Sequence, residues 1–164
     1  MQSRTCSLTV AAALAAAALA PLPVAAVEPP AHCDLLVEGS GRDARVVWRH
    51  CARDGSGAAL MARADKVEVM TWYENWYYGG ATTSVYADAR CTDGTSYVIR
   101  GISTAWDDRI SSFRVRGGCD HTRAYTGPDQ TGDQQDYPNQ LGVRWVGDAM
   151  NDRISSFWIW RGAE

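Results

Sequence analysis

A nine-residue stretch occurs twice in this chain, 44 positions apart: Ala105 to Phe113 reads AWDDRISSF, and Ala149 to Phe157 reads AMNDRISSF, with seven of the nine positions identical. Two short copies separated by drifted sequence are the mark of a duplicated structural unit, so the chain is built around a pair. Each copy sets two adjacent Asp/Asn side chains, then two residues, then two hydroxyls, within six positions. That places hard oxygen donors close together, a set that suits calcium. Asp, Asn and Ser are also ordinary turn residues, so a single copy reads equally well as turn chemistry. The second copy shifts the balance toward metal.

The ends of the chain set its class. Arg4, an apolar run from Leu8 to Ala20, and the small residues Val24-Ala25-Ala26 read as a secretory signal peptide over residues 1–26. The run is too short for a spanning helix, and no later window approaches the ~20 apolar residues that one needs. The expectation is a secreted protein with no membrane anchor. Loss of the leader removes Cys6 and leaves Cys33, Cys51, Cys91 and Cys119, an even number in an oxidising compartment. Four cysteines allow three pairings. Cys33 and Cys51 flank Ser40-Gly41-Arg42, which reads as a hairpin tip, and Cys91 and Cys119 both fall in the repeat region, which favours Cys33–Cys51 with Cys91–Cys119. Thiol ligation of a metal is the rival, and no CxxC pair supports it.

The leader holds one of the 16 basic residues and none of the 19 acidic ones, so the remainder carries 15 minus 19, about −4. Its arginines are mixed with acids rather than gathered in a stripe, and nucleic acid is not expected as a partner. Seven Trp and seven Tyr could form a sugar-binding or base-stacking surface, although aromatic residues more often fill the core of a small β protein.

Period and punctuation point to an all-β chain. Lys66 to Trp72 alternates, with Val67, Val69 and Thr71 on one face and Glu68, Met70 and Trp72 on the other. Further strand-like runs are Ala81–Tyr86, Ser96–Ile99, Ile110–Val115, Thr122–Tyr125, Gly142–Val146 and Ile154–Trp160, separated by Gly, Asp, Asn and Pro. Gly57–Asp65 is the one stretch that could be a short helix. Short strands at this spacing imply a sandwich or barrel.

Ahead of the first copy, Tyr73, Tyr78 and Gly80 have the spacing aromatic, four residues, aromatic, one residue, glycine. This is similar to the Greek-key corner of the βγ-crystallin superfamily, and DDRISS and NDRISS resemble its microbial calcium-binding signature. Ahead of the second copy Tyr125 and Gly132 keep the spacing, with Gln130 in place of the second aromatic. The resemblance covers about residues 66–161. It implies a Greek-key βγ-crystallin-like β-sandwich, with motif one over about 66–117 and motif two over about 118–161 of a domain spanning 66–164. Residues 27–65 lie outside the resemblance and read as a small N-terminal disulfide hairpin and connector.

The resemblance further implies two calcium ions in cups at one end of the sandwich, each signature serving both ions. Carried over by position, the donors are Asp107, Asp108 and Ser111 in the first copy and Asn151, Asp152 and Ser155 in the second, with the carbonyls of Arg109 and Arg153. A carbonyl from Glu74 or Thr126 completes each shell, and Ser112 and Ser156 are left for structural hydrogen bonds. Catalysis is not expected: His32, His50 and His121 are scattered, no HExxH, nucleophile-elbow or P-loop motif is present, and Asp133 and Asp136 read as solvated residues of a Gly/Gln-rich loop. Two functions follow from the resemblance. The first is a secreted calcium-braced module with a structural or surface-binding role, its partner a cell-surface component. The alternative is a peptidase inhibitor of the metalloproteinase-inhibitor type, acting on an extracellular protease, or a killer-toxin-like interaction protein.

Overall fold

The computed structural model describes residues 32–52, 65–92, 94–103 and 105–162. The expected leader and, apart from Asp65, the short helix expected over Gly57–Asp65 lie outside these residues. Among the described residues ten strands run in the order β1 (His32–Glu38), β2 (Arg45–Ala52), β3 (Val67–Asn75), β4 (Gly79–Ala87), β5 (Ser96–Ile99), β6 (Ser112–Val115), β7 (His121–Tyr125), β8 (Gln134–Tyr137), β9 (Gly142–Val143) and β10 (Ser156–Trp160). They form a six-stranded sheet, β2-β1-β4-β3-β6-β9, and a four-stranded sheet, β5-β10-β7-β8. No helix among the described residues is long and apolar enough to cross a membrane.

Strand exchange joins the halves. β9 comes from motif two but pairs with β6 of motif one, Phe113 opposite Val143. β5 comes from motif one but pairs with β10 of motif two, Phe157 opposite Ile99. Both offsets are 44, since 113 plus 44 is 157 and 99 plus 44 is 143, so the repeat in the sequence is a pseudo-twofold in space. On that axis Phe113 and Phe157 meet edge to face, centroids 5.5 Å apart, and Phe157 stacks on Trp72. Both phenylalanines are fully buried, a stabilisation of about 1.5–3 kcal/mol each by transfer from water.

The strands obey the period of two where the ladder is regular. In β10 Phe157 and Ile159 face the core while Trp158 and Trp160 lie half-buried outside. In β3 the simple alternation expected from sequence is interrupted. The register against β4 slips between Glu68 and Met70, so Val69, Met70 and Trp72 all reach the core and Thr71 bonds outward to Glu68. β8 matches none of the strand-like runs in the sequence. Its Gln and Asp side chains carry no apolar pattern, and Asp136 is a strand residue forming a two-pronged ion pair with Arg123 of β7 rather than a solvated turn residue.

The disulfides are Cys33–Cys51, opposite each other in the β1–β2 hairpin, and Cys91–Cys119. β1 also pairs in parallel with β4, from His32 against Thr82 to Val37 against Ala87, so the hairpin lengthens the first sheet. Cys33, Leu35, Val37 and Ala44 join the common core. At the hairpin tip Gly41 N–H donates to Ser96 O at 2.6 Å, which stitches the tip to β5 in the other sheet.

Candidate metal centre

Each signature folds as a tight turn entering a strand. Trp106 and Asp107 donate backbone N–H to Ser103 O at 2.7 and 2.9 Å; Met150 and Asn151 repeat this to Gly147 O at 3.1 and 2.9 Å. The second acid of each turn takes the left-handed conformation, φ 57° at Asp108 and 53° at Asp152, which Asp tolerates better than most residues. Buried Trp106 and Ile110 anchor the first turn in the core, as Met150 and Ile154 anchor the second.

The two turns are locked to each other across the pseudo-twofold. Val146 N–H donates to Ser111 O and Ile102 N–H to Ser155 O, both at 3.1 Å, and Asp152 N–H reaches Ile110 O at 3.3 Å. The side chains cross as well. Ser155 Oγ lies 2.5 Å from Asp107 Oδ1 of the other copy and 3.0 Å from Thr126 O. Ser111 Oγ lies 3.5 Å from Asp152 Oδ1. Thus one carboxylate, one hydroxyl and one carbonyl converge at the first position, while the second is looser. With all-β architecture, exchanged strands, paired corners and crossed signatures on one molecule, the sequence resemblance has its structural counterpart. The fold is βγ-crystallin-like.

Part of the chain is similar to several solved structures. A βγ-crystallin domain from Clostridium beijerinckii shares 26% identity, covering 57% of this chain and 98% of its own, at a TM-score of 0.42. One from Flavobacterium johnsoniae shares 17%, covering 59% and 99%, at 0.40. A structure illustrating the evolution of the eye-lens βγ-crystallin domain fold shares 14%, covering 58% and 88%, at 0.44. No family model and no curated protein matches the chain.

The remaining expected donors divide clearly. The Arg109 guanidinium is held away from the cup by Ala105 O and the Glu74 carboxylate, and that of Arg153 by Ala149 O and Asp133. Their side-chain charges are therefore occupied elsewhere. The Glu74 carboxylate also accepts from Ala81 N–H, which leaves only its carbonyl as a donor. Its pairing with Arg109 holds that carboxyl below the usual range, outweighing partial burial. Asp108 is exposed, with its side chain outside the crossed pair. Ser112 and Ser156 are structural: each Oγ donates to a corner carbonyl, Asn75 O or Gly127 O, and accepts the N–H of Tyr78 or Gln130. Gln130 keeps the left-handed φ of Tyr78, 63° against 66°, so the second corner survives the loss of its aromatic.

One further feature bears on the fit of these residues to a calcium ion. Asn151 Oδ1 is buried with no hydrogen-bond partner, although its amide nitrogen donates to Asp152 Oδ2 at 2.7 Å. A buried acceptor left unpaired costs roughly 1–3 kcal/mol, and a cation at that oxygen removes the cost. Among the described residues no three His, Cys, Asp or Glu side chains cluster, so the available donor set is mixed: carboxylate, amide, hydroxyl and carbonyl. That is a calcium set rather than a zinc set.

Proposed function

We propose that this protein is a secreted calcium-binding βγ-crystallin-like module in which two ions brace the sandwich for a structural or surface-binding role. The observation that carries the reading is the convergence of Asp107 Oδ1 and Thr126 O on Ser155 Oγ, donors from two motifs that an ion would tie together. Asn151, Asp152 and Ser111, with the carbonyls of Arg109, Arg153 and Glu74, would serve the rest of the two shells. So few anionic ligands per ion argue for modest affinity, on the order of 10⁻⁴ to 10⁻³ M. Two disulfides fit an oxidising compartment. The Cys33–Cys51 hairpin extends the first sheet, and no feature described above favours the inhibitor or toxin alternative.

Thermal unfolding tests the reading. With a Kd near 10⁻⁴ M, about 1 mM calcium adds roughly 1.4 kcal/mol per site, a rise of several degrees that chelator reverses and magnesium does not reproduce. The Asp107→Ala/Asp152→Ala variant should lose the calcium response at both sites. A parent protein indifferent to calcium, or a double variant that still responds fully, overturns the proposal.

A further inference from the structure

The aromatic surface beside the first corner is not required by the fold. Trp76, Tyr77 and Trp145 are 64%, 61% and 43% exposed, yet they line one depression of about 580 Å³. Trp76 and Tyr77 stand nearly perpendicular, 79° apart with centroids at 5.3 Å, so one ring forms a floor and the other a wall. Tyr77 is held in place by its φ of 52° and by its N–H, which donates to Arg144 O at 2.8 Å. The second motif supplies an internal control. Asp129 has φ 53° and donates to Arg100 O at 2.9 Å, the same turn by the same bond, built from Pro128 and Asp129 with Gly101 where the first has Trp145. The turn therefore forms without aromatic residues.

Charge distinguishes the two surfaces further. In motif two Arg100 faces Asp129 at 3.6 Å. In motif one the corresponding Arg144 lies 5.7 Å from the centre of the Tyr77 ring and has no carboxylate partner among the described residues. Arg144 also lines an adjoining depression of about 720 Å³ with Arg114, which stacks on Tyr78 at 3.8 Å and likewise has no carboxylate partner among the described residues; no acidic residue lines either depression. Each volume lies in the range of ordinary ligand sites.

We propose that this surface binds a carboxylated polysaccharide, sugar faces stacking on Trp76, Tyr77 and Trp145 while the guanidinium groups of Arg144 and Arg114 take uronate carboxylates two-pronged. A bilayer needs a protruding apolar surface, and here the rings line a hollow. Nucleic acid needs more cations than the two guanidinium groups this surface offers, on a chain of net charge −3. The inference goes beyond the calcium reading, because none of these side chains is a calcium donor.

The test is calorimetric titration of the folded protein with polygalacturonate, hyaluronate and alginate oligosaccharides, with neutral dextran, a thymidine oligonucleotide and phosphatidylglycerol vesicles as comparisons, in calcium and in chelator. At least one uronate should bind and dextran should not. Trp76→Ala/Trp145→Ala should weaken binding about tenfold or more at an unchanged melting temperature. Arg114→Gln/Arg144→Gln should weaken it and remove its salt dependence, whereas Pro128→Ala/Asp129→Ala should leave it intact. For hyaluronate, the uronate least cross-linked by calcium, binding should be equal with and without calcium in the folded protein, so a failed calcium reading leaves this result readable. Absence of binding to all three uronates, equal binding of dextran, tighter binding of oligonucleotide or vesicles, or self-association abolished by the tryptophan variant would each overturn the proposal.

Discussion

The two corners of this molecule share a backbone and differ in almost everything else. Tyr77–Tyr78 and Asp129–Gln130 take matching left-handed angles, and each corner ties its second residue to a buried serine, Ser112 or Ser156. One corner then presents indole and phenol to solvent and the other presents Pro128 and Asp129. The shared backbone is set by a few groups: the serine, the first tyrosine and the glycine that closes the turn. The rest of the corner is free to take on other chemistry, and the same division runs through the signature turns, where Asp107 is bonded across the axis and Asn151 Oδ1 is not.

The strongest way to break the comparison is in the core. Phe113→Ala and Phe157→Ala should each cost about 3–5 kcal/mol in urea unfolding, since both are fully buried on the pseudo-twofold. A loss at one site less than half that at the other would show that the halves are not energetically equivalent. At the corners, Gly80 (φ 77°) and Gly132 (φ 78°) would bring a Cβ to 2.7 Å from Asn75 Nδ2 and 2.5 Å from Thr126 Oγ1. Valine at either should cost roughly 1–3 kcal/mol, the strain of a β-branched residue in that conformation. A silent substitution at Gly132 alone would mark the second corner as slack.

Acid sensitivity provides a finer comparison. Glu74 is held below its ordinary value by Arg109, so its contribution is complete above pH 4.5 and is lost as pH falls through its folded value. Glu74→Gln should flatten the fall in melting temperature between pH 5 and pH 3, by no more than the ~1 kcal/mol of a surface pair. Asp133, largely exposed, makes the matching ion pair with Arg153 in motif two, and Asp133→Asn should lower the melting temperature at neutral pH by less than Glu74→Gln does. If the two variants behave alike, the difference in burial between the pairs carries no energy. The smallest effect belongs to Gln130→Tyr: restoring the missing aromatic should shift stability by about 0.5 kcal/mol or less, because the Gln130 backbone already holds the turn.

The repeat exposed the pseudo-twofold because its copies contain both the crossed hydroxyls and the buried Ile and Phe anchors. The disulfide pairing was legible from symmetry about a turn. Three things were hidden. β8 has neither alternation nor β-branched residues, and it is a strand because Thr122 to Tyr125 of β7 offer it an unpaired edge. The slip at Val69 leaves no trace in composition, since apolar residues on both sides of it are compatible with either register. The parallel pairing of β1 with β4 joins segments that begin 47 residues apart, His32 to Gly79, and no local pattern encodes a partner at that distance. Within the candidate centre, the donors were visible as residue types, whereas the diversion of Arg109 and Arg153 to turn carbonyls appears only once the turn is folded.

β10 lies between β5 and β7, yet it is the last strand to be made. During synthesis β5 must therefore wait, edge unpaired along this side, until its partners arrive 58 to 64 positions later, Phe157 for Ile99 through Trp160 for Ser96. Closing so long a loop before any contact rewards it places this chain among the slow folders, on a scale of milliseconds to seconds. The waiting edge is the period in which a neighbouring chain could donate its own β10, and the Cys91–Cys119 crosslink, tying the segment before β5 to the one before β7, shortens it by holding the two acceptor strands as a ready slot.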